Sequence, residues 1–229
     1  MIYMKIDILT LFPEMFSGAF DESIVGRAQK QGKVEIKIHQ LRDWATDRHQ
    51  TVDNRPYGGG VGMLLKIEPV HKALEELKRN TEHEKRKTVL LDAGGSRYTQ
   101  SKARELSKAE HIILICGRYE GVDHRIREHL IDEEISIGDY ILTGGEIPAM
   151  VIADSVTRLI PGVLTKEEAV QLESFSLPTT DNLPQVEYPQ YTRPEDFNGW
   201  KVPEVLLSGN HKKIEEWKKE ESQKRSKKR

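Results

Sequence analysis

The chain has 229 residues, 37% of them hydrophobic and 31% charged, with a formal net charge of −2 at pH 7. That length holds one sizeable core, or one domain with a smaller appendage. No apolar run approaches the ~20 residues of a bilayer span, the N-terminus lacks the basic region and cleavage site of a signal peptide, and the lone Cys116 excludes an internal disulfide or a cysteine-rich zinc site. A soluble, cytoplasmic protein is expected, and the near-neutral charge excludes one that coats nucleic acid by charge alone.

Residues 4–11 (MKIDILTL) predict a first strand, stopped by Phe12-Pro13. Residues 14–29 place Met15, Phe16, Ala19, Phe20, Ile24 and Ala28 at helical spacing with a break near Gly26. Val34, Ile36 and Ile38 alternate with charged residues, which predicts a half-exposed strand. Strand, helix, strand opens a parallel α/β sheet. Residues 41–65 follow neither period and end in the run Gly58, Gly59, Gly60, Val61, Gly62. A long irregular segment inside a compact domain is uncommon and is usually functional or disordered. Its glycines let main chain approach a flat or anionic partner, although the lysine and hydroxyl that complete a nucleotide P-loop do not follow.

Residues 68–79 carry Val70, Ala73, Leu74 and Leu77 on one helical face, and the charged residues 80–87 predict a solvated connection. Residues 88–91 predict a buried strand ending in Asp92-Ala93-Gly94-Gly95, followed by a helix over 100–107. Then comes the stretch around which the chain is organised. It comprises a buried strand (112–115), a polar turn (116–121), a helix (122–130), a second strand (134–137), a glycine-containing loop (138–145) and a helix opening at Glu146 and Pro148. Strands that end in glycine turns and hand over to helices place their loops at one edge of a parallel sheet, where open α/β sheets bind ligands. Eleven of the 17 glycines lie in these loops and in the Gly58 to Gly62 run, a concentration that points to a pocket.

After a helix over 146–159, Pro161-Gly162 close the first domain, predicted as residues 1–164. Residues 165–190, rich in Pro, Thr, Asp and Glu, predict a mobile linker. Residues 191–229 predict a small, mainly helical unit with Ile214 and Trp217 at its core. From Lys212 onward nine Lys or Arg stand against four Glu, the composition of a frayed solubilising tail or of a phosphate-contacting arm.

Six stretches carry a resemblance: LFPEMF (11–16), NRPYGGG (54–60), CGRYEGVD (116–123), SIGDYILTGGE (136–146), YTRPE (191–195) and LLSGNH (206–211). In order and spacing they resemble the bacterial tRNA (guanine-N1)-methyltransferases, the TrmD family of the SPOUT class. The resemblance implies an α/β fold whose parallel sheet carries a deep trefoil knot, with a helical C-terminal domain. It also implies a homodimer with a shared active site, S-adenosylmethionine as methyl donor, and guanosine 37 of tRNA as acceptor. Magnesium enters as a further requirement described for family members; no protein metal ligands are assigned.

By position in the family motifs, the cofactor pocket is expected from Leu90, Leu91, Asp92, Ala93 and Gly94, from Gly117, Tyr119, Glu120 and Gly121, and from Ser136, Ile137, Gly138, Asp139, Tyr140, Ile141, Leu142, Gly144, Gly145 and Pro148. Attack by guanine N1 needs a base for its proton and a cation or donors for charge on O6. The resemblance assigns the oxygen to Arg158 and the base to an acid in the linker. There the family usually has Asp-Ser-Phe or Asp-Ser-Tyr, whereas this chain has Glu173-Ser174-Phe175, with Asp181 as a reserve. Family positions also assign RNA contact to His49, Asn54, Arg55, Tyr57, Gly58 and Gly59, residue types suited to a splayed single-stranded loop, and to Lys212 and Lys213. Two other readings remain open on the sequence: a SPOUT-type methyltransferase acting elsewhere on RNA, and a nucleotide- or RNA-binding module without catalysis.

Overall fold

The computed structural model describes residues 4–79, 85–165, 173–176 and 186–228, which divide into two compact units, Met1–Thr165 and Lys166–Arg229. The first is a five-stranded, wholly parallel sheet built from β1 (Met4–Thr10), β2 (Val34–Gln40), β5 (Arg86–Arg97), β6 (His111–Cys116) and β7 (Glu133–Ser136), in the order β2-β1-β6-β5-β7. The two-residue strands β3 (Asp53–Asn54) and β4 (Leu64–Leu65) form a separate antiparallel ladder. Both faces of the sheet are covered, so β1 and β6 are buried along their whole length.

Alternation sorts the side chains between two layers. Ile6, Ile8, Val89, Leu91, Ile112 and Leu114 pack with α1 (Ser23–Lys30), α3 (Gln100–Leu106) and α5 (Glu146–Thr157). Leu9, Leu90, Ile113 and Ile115 pack on the other side with α2 (Ile67–Arg79) and α4 (His124–His129). One charged cluster is built into the sheet. Asp7, fully buried on β1, meets Nζ of Lys5 at 2.8 Å, Nε2 of His39 at 2.7 Å and Nε2 of His111 at 2.7 Å. Burial alone would raise its pKa, but the bonds from His111, His39 and Lys5 prevail and hold the carboxyl well below the usual range.

In the first unit the structure departs from the expected elements in three places. The helix expected over 14–29 is a single 3-10 turn at Pro13–Phe16 and then α1, with a positive φ at Gly18 (76°) between them and at Ser23 (57°), the first residue of α1. Phe16 and Phe20 are nevertheless buried, so the apolar spacing recorded burial rather than a continuous helix. Strand β5 extends past residue 91. Ile135 of β7 pairs with Leu91, the chain loops out over 92–95, and Ser96 returns to pair with the same Ile135. A Cβ on Gly95 would lie 2.5 Å from Ile135 N, so only glycine permits that return. The helix expected from 122 begins at His124, because Val122 is drawn into a bridge with Leu65.

In the second unit, residues expected to be helical near 194–198 form a hairpin, β8 (Asp196–Phe197) and β9 (Trp200–Lys201). Asn198 (φ 54°) and Gly199 (φ 85°) make its turn. Helices α6 (Glu204–Leu207) and α7 (His211–Lys227) follow, with the Asn210 side chain accepting from the Lys213 N–H as an N-cap. Tyr188 and Tyr191 pack on Trp217, each at 6.4 Å between ring centroids. Residues expected within the linker join this unit: Val186 donates to Ser226 and accepts from Ser222, and the Glu187 carbonyl accepts from Arg225. Most of the linker expected to be mobile, 166–172 and 177–185 with Asp181, lies outside the described residues.

Candidate functional site

The C-terminal ends of β5, β6 and β7 open into one cavity of about 260 Å³. Leu91, Asp92 and Ala93 line it from β5, and Gly117, Tyr119, Glu120 and Gly121 from the turn after β6. The segment beyond β7 adds Ser136, Ile137, Gly138, Tyr140, Ile141, Leu142, Gly144 and Gly145, with Pro148 from α5. The three loops singled out in the sequence therefore face a single space. Of the residues expected there, Leu90 lies in the opposite apolar layer, because neighbouring strand residues point to opposite faces. Gly94 sits in the turn outside the lining, donating to Asp92, and Asp139 is exposed beside Arg97 at 3.6 Å.

Close main-chain approach explains the glycines at the centre. The Gly145 N–H donates to the Gly117 carbonyl at 2.9 Å, and a Cβ on Gly145 would lie 2.6 Å from Cys116 Cα. A Cβ on Gly117 would lie 2.8 Å from the Leu91 carbonyl oxygen. The segment following β7 is thus fastened directly onto the turn following β6.

Sequence reasoning missed Arg118, Ile135 and Thr143, which also line the cavity. Arg118 holds the two loops together. Its Nη1 donates to the Thr143 carbonyl at 2.9 Å, its Nε meets the Glu146 carboxylate at 3.3 Å, and its guanidinium lies 4.2 Å from the Phe12 ring centroid. Glu146 is buried and its Oε1 also accepts from the Thr10 hydroxyl at 2.7 Å. Cys116, just before the turn after β6, is buried in the core. Burial first, and then the charge of Glu146, push its thiol pKa well above the ordinary value. The signal for Arg118 was present, since it lies inside the CGRYEGVD motif, but its partner is 28 residues away and only the fold joins them.

The irregular segment is pinned to this turn: Leu65 N–H donates to Gly121, Glu120 N–H to Met63, and Asp123 N–H to Leu65. His49, Asn54, Arg55, Gly58 and Gly59 are exposed, and Tyr57 is fully so, none of them in the cavity. Arg158 caps α5, its N–H donating to the Asp154 carbonyl at 3.2 Å. In the second unit Glu173 is half-buried in a short turn, its carbonyl accepting from the Ser176 N–H, while the Ser174 hydroxyl accepts from Glu187 N–H. Lys212 and Lys213 are exposed on the first turn of α7. No group of three His, Cys, Asp or Glu side chains among the described residues could hold a metal ion, and no helix there is long and apolar enough to cross a membrane.

The chain is 55% identical over 223 residues to the tRNA (guanine-N(1)-)-methyltransferase of Anoxybacillus flavithermus, an overlap covering 97% of this chain and 88% of the relative. The protein of the same name from Carboxydothermus hydrogenoformans is 56% identical over 219 residues, covering 96% and 83%. That from Halalkalibacterium halodurans is 53% identical over 223 residues, covering 97% and 88%. The family profile described as tRNA (Guanine-1)-methyltransferase TrmD matches residues 4–229, and with its glycine loops gathered around one cavity the chain belongs to that family of methyltransferases.

Proposed function

We propose that the chain methylates N1 of guanosine 37 in tRNA, using S-adenosylmethionine. The observation that carries this reading is the meeting of the three strand-end loops at one cavity in a chain of this family. The residues fit such a cofactor: Leu91, Ile135, Ile137, Leu142 and Pro148 offer apolar wall, while Asp92, Ser136 and the bared main chain of the glycines offer polar edges. When bound, the cofactor supplies a methyl group already activated on sulfonium sulfur. What remains for the chain is alignment, removal of one proton and stabilisation of one developing charge.

Glu173 is assigned the proton of guanine N1, its carboxylate acidity being close to that of the usual aspartate. Arg158 is assigned the O6 charge. Magnesium finds no donor cluster among the described residues, and no step is assigned to it. The exposed His49, Asn54, Arg55, Tyr57, Gly58 and Gly59, with Lys212 and Lys213, are assigned to tRNA.

The same reading takes residues 1–164 as a knotted SPOUT domain, 165–190 as the linker and 191–229 as the tRNA-binding domain. Support for the knot is that β7 lies beyond β5, whereas the segment after it returns across β5 to bond the turn after β6. A homodimer is supported by the apolar residues left exposed on and beside α5: Ile147 and Val151, with Phe12 and Met15.

Incubation with labelled S-adenosylmethionine and bulk bacterial tRNA, followed by location of the modified base, tests the reading. Label at N1 of guanosine 37 is expected, and Glu173→Gln should abolish transfer while leaving affinity for S-adenosylhomocysteine nearly intact. Label at another position would make the chain a different RNA methyltransferase, and none at all would make it a binding module. A Glu173→Gln variant with the wild-type single-turnover rate would remove Glu173 from the mechanism.

A further inference from the structure

The wall of the cavity contributed by β5 is held by an ion-pair network that the chemistry above leaves unused. Asp92 Oδ2 accepts from Arg127 Nη2 at 2.7 Å, and Asp92 Oδ1 accepts from the Gly94 N–H at 2.9 Å. Arg127 also donates through Nε to Glu134 Oε1 at 3.0 Å. One guanidinium on α4 therefore ties the exit of β5 to β7, and with it two walls of the cavity. The three side chains keep only 22%, 23% and 25% of their surface exposed, so the pairs are screened less than surface ones.

A carboxylate offers roughly four lone-pair sites. Arg127 and Gly94 take two of those on Asp92, and the residue lines the cavity. The carboxylate lies against bared main chain, since a Cβ on either Gly117 or Gly121 would be 3.9 Å from Oδ2. A ligand hydroxyl can therefore reach an acceptor that is already oriented and needs no reorganisation. Asp92 follows directly on the first paired run of β5, where the strand loops out near the carboxyl edge of a parallel sheet, and an acid beside the ligand crevice of such a sheet is chemically suited to ribose hydroxyls.

We propose that Arg127 is a positioning residue that presents the Asp92 carboxylate to the ribose hydroxyls of the adenosyl ligand, making Asp92 a determinant of ribose over deoxyribose. The proposal rests on reading the cavity as the S-adenosylmethionine site. A buried acceptor left without its hydroxyl penalises the analogue that lacks it, and a hydrogen bond to a charged group is worth about tenfold or more in affinity.

Calorimetric titration of the full chain with S-adenosylhomocysteine and with its 2′-deoxy and 3′-deoxy counterparts tests it. Wild type should prefer the ribose form over at least one deoxy form by about tenfold. Asp92→Asn and Arg127→Ala should each erase that preference by weakening the ribose form, the Arg127→Ala loss appearing in KM for S-adenosylmethionine rather than in kcat, and Arg127→Lys should restore part of it. Glu134→Gln, which keeps the Arg127 to Asp92 bond, should retain the preference and serves as the folded control if Arg127→Ala does not fold. A preference that survives Asp92→Asn, or equal weakening of ribose and deoxyribose forms in the variants, would overturn the assignment while leaving the cavity's ligand in place. Wild type that binds no S-adenosylhomocysteine would instead overturn the reading of the cavity on which the proposal rests.

Discussion

Replacing Asp7 by Asn removes one negative charge from the middle of the sheet and leaves the volume nearly unchanged. The carboxylate has no exposed surface and serves Lys5 on its own strand, His39 on β2 and His111 on β6, whose side chains are 11%, 22% and 0% exposed. An amide supplies a single acceptor oxygen and turns a donor toward a donor. Removing one member of a buried ionic cluster costs about 3–5 kcal/mol, because its partners stay buried without their counter-charge. Since Lys5 and His39 retain some water, the lower end, about 3 kcal/mol, is expected here.

The pH dependence has a definite sign. Asp7 titrates lower in the folded chain than its ordinary 3.8, so its contribution is fully present above that value and is lost as pH falls through it toward the folded value. Urea unfolding of wild type and Asp7→Asn, followed by circular dichroism at one fixed protein concentration, should therefore give a gap of about 3 kcal/mol at pH 7 that narrows below about pH 4. A gap under about 1 kcal/mol at pH 7, or one that does not narrow below about pH 4, would refute the account of the cluster.

The loops around the cavity yield further outcomes. Gly145→Ala should lower affinity for S-adenosylhomocysteine by more than about tenfold, since its Cβ must push apart the main chains at Cys116 and Gly117. Gly59→Ala meets no atom within 4 Å and should leave that affinity unchanged, at a local cost of about 1 kcal/mol for its positive φ. Glu146→Ala strips Arg118 and Thr10 of a buried partner and should cost about 3 kcal/mol in urea unfolding, a loss that Glu146→Gln reduces. Neutralising Lys212 and Lys213 together should weaken tRNA binding and lower the slope of log affinity against log salt by about 0.7–0.9 for each phosphate left unneutralised, as filter binding would show.

The strands and the ligand edge were legible because both leave local marks. Buried parallel strands are short apolar runs such as Ile112 to Ile115, and the loops that must let main chain pass main chain are spelled in glycine. The sheet order and the return of the β7 segment to Gly117 are properties of sequence-distant pairs, and no local period encodes them. The Leu90 side chain packs in the layer away from the cavity by one residue of strand alternation, and the Arg118 to Glu146 pair joins residues 28 apart that only the fold brings together. The hairpin at Asn198-Gly199 is different. That dipeptide is a strong short-range signal for a two-residue turn, and it stands inside a unit expected to be mainly helical.

The sole cysteine has a practical consequence. Cys116 is 2% exposed, its side chain packed in the apolar layer under α5 and Gly145 lying against its main chain, and it is held as the unreactive thiol. A thiol reagent therefore meets a single target per chain, and only when the packing around the end of β6, beside the cavity, opens. The rate of labelling in the native state is a clock for opening of the ligand crevice, readable without any engineered probe, and occupancy of that crevice should slow it.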